Sequence, residues 1–411
     1  MFVASPSGAR AYAGFVVHHR RLLAFGVFTA VLSGFGQTFY IGLFNGELRA
    51  AFALSHGELG LAYGAATLGS AMVVAYAGRL YDRADLRLYL GAAAILLALG
   101  CVLLAGARGL TGLVLALLLL RLGGQGLMGH IAMTTMARRF HAGRGKAVSV
   151  AGLGFPLAEA AFPAAAVAAL TLLPWRGLWA VSAAVVLALC LPLLLWLLRG
   201  ERAGEEPIAH QHDRGRDWTL REVRRDWRFP LLAPATLAAP FVVTVAFFHQ
   251  VPMAHAKGWS MELVASGLSL FAVGHVSGLL GGGLLVDRWS AARVFVPALL
   301  PMVASMAALA ALDVWWAALL WPGLLGLGLG LSAAAVSALL AELYGITHLG
   351  AIRALLHSLM IASTAVGPPL LGWLLDLGIG TEALALGIGV GIAAAALAAA
   401  AAIRAYGPAT A

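Results

Sequence analysis

The sequence predicts an all-α integral membrane protein with twelve transmembrane helices arranged as two six-helix repeats. Hydrophobic residues make up 61% of its 411 residues, and charged residues make up only 11%. Apolar runs of about 20 residues recur along the chain, and each is long enough to cross a hydrocarbon core of about 30 Å. A soluble protein of this length cannot bury so large an apolar surface, so the composition excludes a soluble fold.

Each predicted span is an apolar run bounded by polar or charged residues. The twelve spans are 22–47, 57–78, 88–107, 111–136, 147–169, 177–198, 230–254, 262–284, 293–312, 315–340, 352–374 and 382–403. The residues before the first span end in HHRR and lead into an apolar segment too long for the core of a signal peptide. We therefore expect this segment to remain as the first transmembrane helix.

The distribution of lysine and arginine predicts the orientation. With the N-terminus in the cytoplasm, most of the 27 basic residues fall in inner loops and tails, whereas the outer loops hold only Arg49, Arg108, Arg176 and Lys257. This excess is the positive-inside pattern. It also explains the net charge of +9 through contact with membrane lipid, without a nucleic-acid partner. We expect the bacterial inner (plasma) membrane, with both termini cytoplasmic.

Recurring landmarks divide the chain into domains. The segment GRLYDR at 78–83 returns as GLLVDR at 283–288, and the same spacing relates Gly145 to Gly350 and Pro163 to Pro368. We predict an N-terminal six-helix half over 1–199, a cytoplasmic linker over 200–229 and a C-terminal six-helix half over 230–411.

The linker contains the pattern of a short amphipathic helix. Thr219 and Glu222 have the spacing of a capping box, in which each side chain bonds to the backbone N–H of the other residue. Leu220, Val223 and Trp227 fall on one helical face. We expect this helix to lie on the inner membrane surface.

The turn that follows the second and eighth spans has the pattern G-x-L-x-D-R. With the twelve spans and the basic central loop, it resembles the major facilitator superfamily, whose members are secondary transporters that work by alternating access. The segments RRFHAGRGKAVSVAGLGFP and HLGAIR most resemble its monocarboxylate/oxalate porter branch. The residues matching the inter-helix gating motif are Gly78, Asp82, Arg83, Arg87, Gly283, Asp287 and Arg288, while Asp85 and Leu86 depart from the pattern.

The chemistry of this turn is that of a latch between helices. A glycine allows close helix contact, the aspartate suits a neighbouring helix N-terminus, and arginines lie at the membrane boundary. Simple positive-inside anchoring explains the arginines but not the recurring aspartate.

Glu159 is the acidic residue that lies at mid-depth of a span. From a rise of about 1.5 Å per residue, Arg121 in the preceding span lies at nearly the same depth. Unpaired charges there cost several kcal/mol, so we expect the two to face the interior and interact. They form either a fixed salt bridge or a switchable pair. In the second case a substrate anion takes Arg121, and Glu159 then binds a proton.

Several other polar residues in the spans are candidate substrate ligands. With Arg121, the predicted substrate-binding residues are Gln37, Tyr40, His275, Ser363 and Thr364. Glu159 is the predicted proton-coupling residue. The two cysteines, Cys101 and Cys190, lie in apolar spans and imply neither a disulfide nor a metal site. We expect no metal, no cofactor and no catalytic residue.

These features predict a secondary active transporter that moves a small organic anion, a monocarboxylate, with proton coupling. The alternative is efflux of amphipathic drugs or metabolites by proton antiport. A transporter-like sensor or a membrane enzyme ranks below both, because the sequence contains no large soluble domain, paired catalytic carboxylates or nucleotide loop. The expected partners are an anionic small molecule, protons and membrane lipid, and we expect a monomer.

Overall fold

The computed structural model of the protein describes residues 6–81, 84–140, 143–199, 218–345 and 347–406. Every regular element in these ranges is a helix, which confirms the all-α fold class. The α-helices are α1 (Pro6–His18), α2 (Arg20–Leu32), α3 (Thr38–Ile41), α4 (Asn45–Phe52), α5 (His56–Tyr81), α6 (Leu86–Gly106), α7 (Leu110–Leu120), α8 (Gly129–Arg139), α9 (Arg144–Gly152), α10 (Gly154–Leu170), α11 (Trp175–Val185), α12 (Leu191–Leu197), α13 (Leu220–Arg225), α14 (Phe229–Phe248), α15 (Gln250–Ala256), α16 (Met261–Trp289), α17 (Ala291–Val294), α18 (Leu300–Ala311), α19 (Ala317–Tyr344), α20 (Leu349–Asp376) and α21 (Thr381–Ala405).

Ten helical segments of the described chain are long and apolar enough to cross a membrane. Two further helical segments, Tyr12–His18 and Arg20–Gly36, are long and apolar enough only when taken together, and the chain bends by 85° between them. Pro297–Ala311 is a shorter apolar helix. Helical structure therefore occurs at all twelve predicted spans.

The first predicted span, 22–47, is not one continuous helix. After α2 the chain passes through a 3-10 turn, Ser33–Gly36, and Gln37 is extended with φ −85° and ψ 153°. A second 3-10 turn, Gly42–Phe44, separates α3 from α4. Glycines favour such breaks because they lower helix propensity and let other backbones approach closely.

The described chain forms two compact units. Unit 1 comprises Met1–Tyr40, Gly69–Ala158 and Ala169–Ala209, and unit 2 comprises Ile41–Leu68, Glu159–Ala168 and His210–Ala411. Helices α3, α5 and α10 contribute residues to both units. This division differs from the boundaries predicted at 1–199 and 230–411, and the six-helix halves stay a prediction.

Unit 1 contains a π-helical segment, Arg121–Met128, between α7 and α8. Its sequence, RLGGQGLM, has three glycines, which let the backbone widen and let other segments approach. A Cβ added at Gly124 would lie 2.6 Å from the Gly36 backbone, and one added at Gly123 would lie 2.7 Å from that of Leu97. The segment therefore packs on the 3-10 turn of the broken first span and on α6.

Unit 2 is built around the pairing of α16 with α19. A Cβ added at Gly274 or Gly278 would overlap a carbonyl oxygen of α19, and one at Gly326 or Gly330 would overlap a carbonyl oxygen of α16. Small residues at four-residue spacing on both helices thus bring the two backbones into direct contact, as is common in membranes. This contact fixes the position of the middle of α16.

A short helix, α13, lies in the C-terminal part of the predicted linker. Thr219 and Glu222 form the predicted capping box at the start of α13. Val223 is fully buried, but Trp227 is 65% exposed. The prediction that they share one helical face is wrong, because α13 ends at Arg225 and Asp226 is extended. Residues 200–217 of the linker lie outside the described chain.

Candidate functional site

Arg121 lies at the start of the π-helical segment in unit 1 and is only 3% exposed. Its Nη1 donates hydrogen bonds to the Gly36 carbonyl at 3.2 Å and to the Thr38 hydroxyl at 3.5 Å. The Gly36 carbonyl is accessible because the first span is broken at Gln37 and its backbone leaves the helical pattern there. The guanidinium is therefore bound by the irregular segment of the first span.

Gln37 and Tyr40 flank this segment but differ in their surroundings. The Gln37 side chain is half-buried and makes no hydrogen bond to the described part of the chain. Tyr40 is buried, with its ring 5.2 Å from that of Trp179 and its hydroxyl 3.5 Å from that of Ser182. Of the two, Gln37 has the amide groups available for a ligand.

A second group of charged side chains lies in unit 2, where Glu159 is in the first half of α10 and His275 is at the middle of α16. The Nδ1 of His275 lies 3.1 Å from Oε2 of Glu159. The two side chains are 17% and 12% exposed. When the carboxylate is ionised it only accepts, and the hydrogen of this contact is then on Nδ1. The carboxylate at mid-depth thus has a histidine partner, which the sequence analysis did not foresee.

Backbone features position both members of this pair. The Ser269 hydroxyl, on α16, donates to the Ala160 carbonyl of α10 at 3.2 Å, next to Glu159. Pro163 has no N–H to donate to the Glu159 carbonyl, so the regular hydrogen-bond ladder of α10 is interrupted there. On the α19 side of α16, a Cβ added at Gly326 would lie 3.0 Å from the backbone nitrogen of His275. The close contact of α16 with α19 therefore fixes the histidine.

The structure does not test the predicted interaction of Glu159 with Arg121. The two residues belong to different units, each with the partners described above. Their pairing stays a prediction.

Ser363 and Thr364 bond within their own helix. The Ser363 hydroxyl donates to the Met360 carbonyl at 2.8 Å, and the Thr364 hydroxyl donates to the Ile361 carbonyl at 2.9 Å. Ser363 lines an apolar groove of about 590 Å³ whose walls are α14, α20 and α21. The two helices α20 and α21 both pack on α14.

The residues of the predicted gating motif are only partly described. Gly78 lies in α5, and Asp82 and Arg83 lie outside the described chain. Arg87 donates to the Leu198 carbonyl at 3.2 Å within unit 1. In the second copy of the motif, Gly283 lies in α16, and Asp287 and Arg288 are exposed at its end. The Asp287 carboxylate bonds to no described residue.

Three other carboxylates accept hydrogen bonds from backbone N–H groups at helix starts. These capping roles were not predicted from the sequence. Asp85 accepts from the backbone N–H of Arg87 at the start of α6, which explains why it departs from the family pattern. Glu342 accepts from Ala291 and Ala292 at the start of α17, at 2.8 and 3.0 Å. Asp376 accepts from the backbone N–H groups of His56 and Gly57 at the start of α5, at 2.9 and 2.8 Å. Asp85 follows the usual N-cap signal, whereas the other two reach distant segments that local patterns do not reveal.

The comparison with known families decides the class of protein. The sequence matches the Major Facilitator Superfamily over residues 26–272, more than half of the chain. The protein belongs to this superfamily. As a member it is an integral membrane secondary transporter that binds a small-molecule substrate, and it is not an enzyme. The resemblance to the superfamily is thereby confirmed, whereas the resemblance to its monocarboxylate/oxalate porter branch stays a prediction.

Solved structures show the same fold for this superfamily member. One is a bacterial homologue of the human lysosomal transporter Spinster, inward-facing and unoccupied, with 15% identity, a TM-score of 0.69, and coverage of 94% of this chain and 97% of that chain. A second, also described as a bacterial homologue of Spinster, in an inward-facing and occupied conformation, gives 15% identity, a TM-score of 0.60 and coverage of 96% of both chains. No match is found among curated proteins.

The described residues of this transporter bring together no group of three or more histidine, cysteine, aspartate or glutamate side chains with the geometry of a metal site. The charged groups at mid-depth of the spans are the Arg121 guanidinium in unit 1 and the Glu159 carboxylate, beside His275, in unit 2. The substrate-binding role of Arg121 and the proton-coupling role of Glu159 stay predictions.

Proposed function

We propose that the protein moves a small organic anion, a monocarboxylate, by alternating access and couples this movement to protons. The observation that supports the proposal best is the contact of Glu159 with His275 at 3.1 Å in the middle of two spans. With the histidine neutral, the pair carries one negative charge. A proton bound at Nε2 of His275 makes an imidazolium–carboxylate pair of zero net charge.

This change of charge is the basis of the coupling. A net charge in the low-dielectric middle of a membrane protein is costly, and the protonated pair removes it. The pair therefore favours one proton at the stage when substrate crosses.

Arg121 is the proposed anion ligand. Its charge is permanent, and its planar group matches a carboxylate with two parallel hydrogen bonds. Hydrogen bonds from a guanidinium to a carboxylate are stronger than those to a neutral carbonyl such as that of Gly36. Gln37, whose amide makes no bond to the described chain, is the second proposed ligand. The segments resembling the monocarboxylate/oxalate porter branch agree with this substrate class.

The experiment is proton flux into proteoliposomes that contain a pH-sensitive dye, on addition of lactate, pyruvate and other small carboxylates. We expect the wild type to acidify the vesicles beyond protein-free controls. Glu159→Gln removes the acidic group and should abolish the signal, whereas Glu262→Gln, at the exposed start of α16, should retain it. A full signal in Glu159→Gln contradicts the proposed role of the pair.

A second variant tests the anion site. Arg121→Lys keeps the charge but loses the planar fork, so we expect the carboxylate concentration for half-maximal flux to rise by about tenfold or more. Unchanged concentration dependence contradicts the role of Arg121 as ligand.

One observation favours the alternative of amphipathic drug or metabolite efflux by proton antiport. The groove between α14, α20 and α21 has a volume of about 590 Å³ and an almost entirely apolar lining. It would accommodate the apolar part of an amphipathic molecule. Proton release driven by such molecules, and not by carboxylates, would support this alternative over the first.

A further inference from the structure

The segment 218–228, next to the first span of the C-terminal region, is fixed to the protein at both ends. The Trp218 N–H donates to the Tyr344 carbonyl at 2.9 Å, at the end of α19. The capping box of α13 follows, and Val223 is fully buried. Because the apolar residue of this helix faces the protein, it is not available to insert into a membrane.

A polar cluster fixes the other end of the segment. Arg228 Nε lies 2.9 Å and 3.1 Å from the two oxygens of Asp226. The Tyr406 hydroxyl donates to Asp226 at 2.6 Å, and the Arg228 guanidinium lies 3.8 Å from the Tyr406 ring centroid. Burial alone would raise the pKa of Asp226, but the bonds from Arg228 and Tyr406 outweigh it and hold that pKa below its usual value. The charge of Arg228 is therefore balanced internally.

The opposite face of the segment is basic and contacts no partner in the described part of the chain. Arg221, Arg224 and Arg225 are exposed, and their guanidinium groups bond to no described residue. Their spacing places them as neighbours on one side of α13. Trp227 lies two residues after Arg225 and is 65% exposed. We call these four residues the α13 surface.

The position of the α13 surface indicates what it contacts. The apolar helix α14 begins at Phe229, two residues after Trp227, and crosses the membrane. Exposed tryptophan at such a boundary lies at the level of lipid headgroups. Clustered arginine beside a transmembrane helix attracts anionic lipid, at roughly 1 kcal/mol for each charge near the surface. A basic, rigid face with a tryptophan at the membrane boundary fits anionic headgroups in both charge and location.

We propose that the α13 surface is a binding site for the headgroups of anionic phospholipids. Arg221, Arg224 and Arg225 contact the phosphates, and Trp227 lies among the headgroups beside them. This site is separate from Arg121 and from the Glu159–His275 pair. The site adjoins the start of α14 and the Asp226 cluster, which contacts Tyr406 directly after α21.

The test compares lipid binding by full-length variants in detergent, measured by native mass spectrometry with phosphatidylglycerol and with phosphatidylcholine. The variant Arg221→Gln/Arg224→Gln/Arg225→Gln removes the three charges. The control Arg20→Gln/Arg199→Gln/Arg293→Gln removes three exposed charges elsewhere, none of which bonds to a described residue. A second variant, Arg221→Lys/Arg224→Lys/Arg225→Lys (the lysine triple), keeps the three charges. None of these arginines has a partner in the described chain, so we expect thermal unfolding midpoints equal to the wild type.

We expect the glutamine triple to raise the Kd for phosphatidylglycerol by about tenfold or more, with the control and the lysine triple within about twofold of the wild type. Brominated phosphatidylglycerol should also quench the wild type more than Trp227→Phe. Equal losses in the two glutamine triples, unchanged binding in the α13 triple, or equal affinity for the two lipids would overturn the proposal.

Discussion

At the scale of single residues, the two charged groups at mid-depth of their spans, Glu159 and Arg121, each have an identifiable partner in the described chain. Glu159 has His275, and Arg121 has the Gly36 carbonyl and Thr38. The sequence predicted that both charges face the interior, because unpaired charges in a membrane are too costly. It could not predict the histidine partner of Glu159, because α10 and α16 are far apart in sequence and depth along a helix does not define its rotation.

Asp226 provides a prediction at the same scale. Asp226→Asn keeps the shape but removes the charge that accepts from Arg228 and Tyr406. We expect it to destabilise the protein at neutral pH by on the order of 2 kcal/mol, measured by thermal unfolding.

The pH dependence follows from the lowered pKa of Asp226 in the folded protein. Its stabilising effect is present above the unfolded pKa of about 3.9 and is lost as the pH falls through the lower folded value. The difference between Asp226→Asn and the wild type should therefore be constant near neutrality and shrink below about pH 4. A difference that grows on acidification would contradict this account.

At the scale of helices, the sequence predicted where the membrane spans lie but did not predict that the first span is broken. Apolar length identifies a span because every membrane-crossing segment must satisfy its own backbone. The break at Gln37 was not predicted, because it depends on contact between Gly36 and the π-helical segment that begins at Arg121. The latch role of the motif aspartate Asp287 stays a prediction, and the carboxylate that caps the start of the neighbouring helix α17 is that of Glu342.

The contact of α16 with α19 provides a matched pair of substitutions. A Cβ added at Gly278 would overlap the Leu327 carbonyl, whereas one added at Gly281 would have no atom within 4 Å. Gly278→Ala forces two helices apart, so we expect it to destabilise the protein by about 1–3 kcal/mol. Gly281→Ala, on the same helix, should have little effect or stabilise slightly, because alanine favours helix. Equal unfolding temperatures for the two variants would show that this contact does not matter for stability.

At the scale of the whole molecule, composition and periodicity predicted the fold class, and the G-x-L-x-D-R turns predicted the superfamily. These signals are strong because the bilayer imposes length and hydrophobicity on each span. The substrate does not follow from them. It depends on a few side chains, such as Arg121 and Gln37, whose surroundings are set by breaks and glycine contacts rather than by hydrophobic pattern.

The central claim is that the Glu159–His275 pair carries the proton that drives transport. The most direct measurement compares two activities of Glu159→Gln in proteoliposomes: exchange of labelled for unlabelled carboxylate, and uptake driven by an imposed pH gradient. Exchange needs no net movement of protons, so we predict that it persists while gradient-driven uptake falls by about tenfold or more. If Glu159→Gln accumulates carboxylate under the gradient as the wild type does, the pair does not carry the proton.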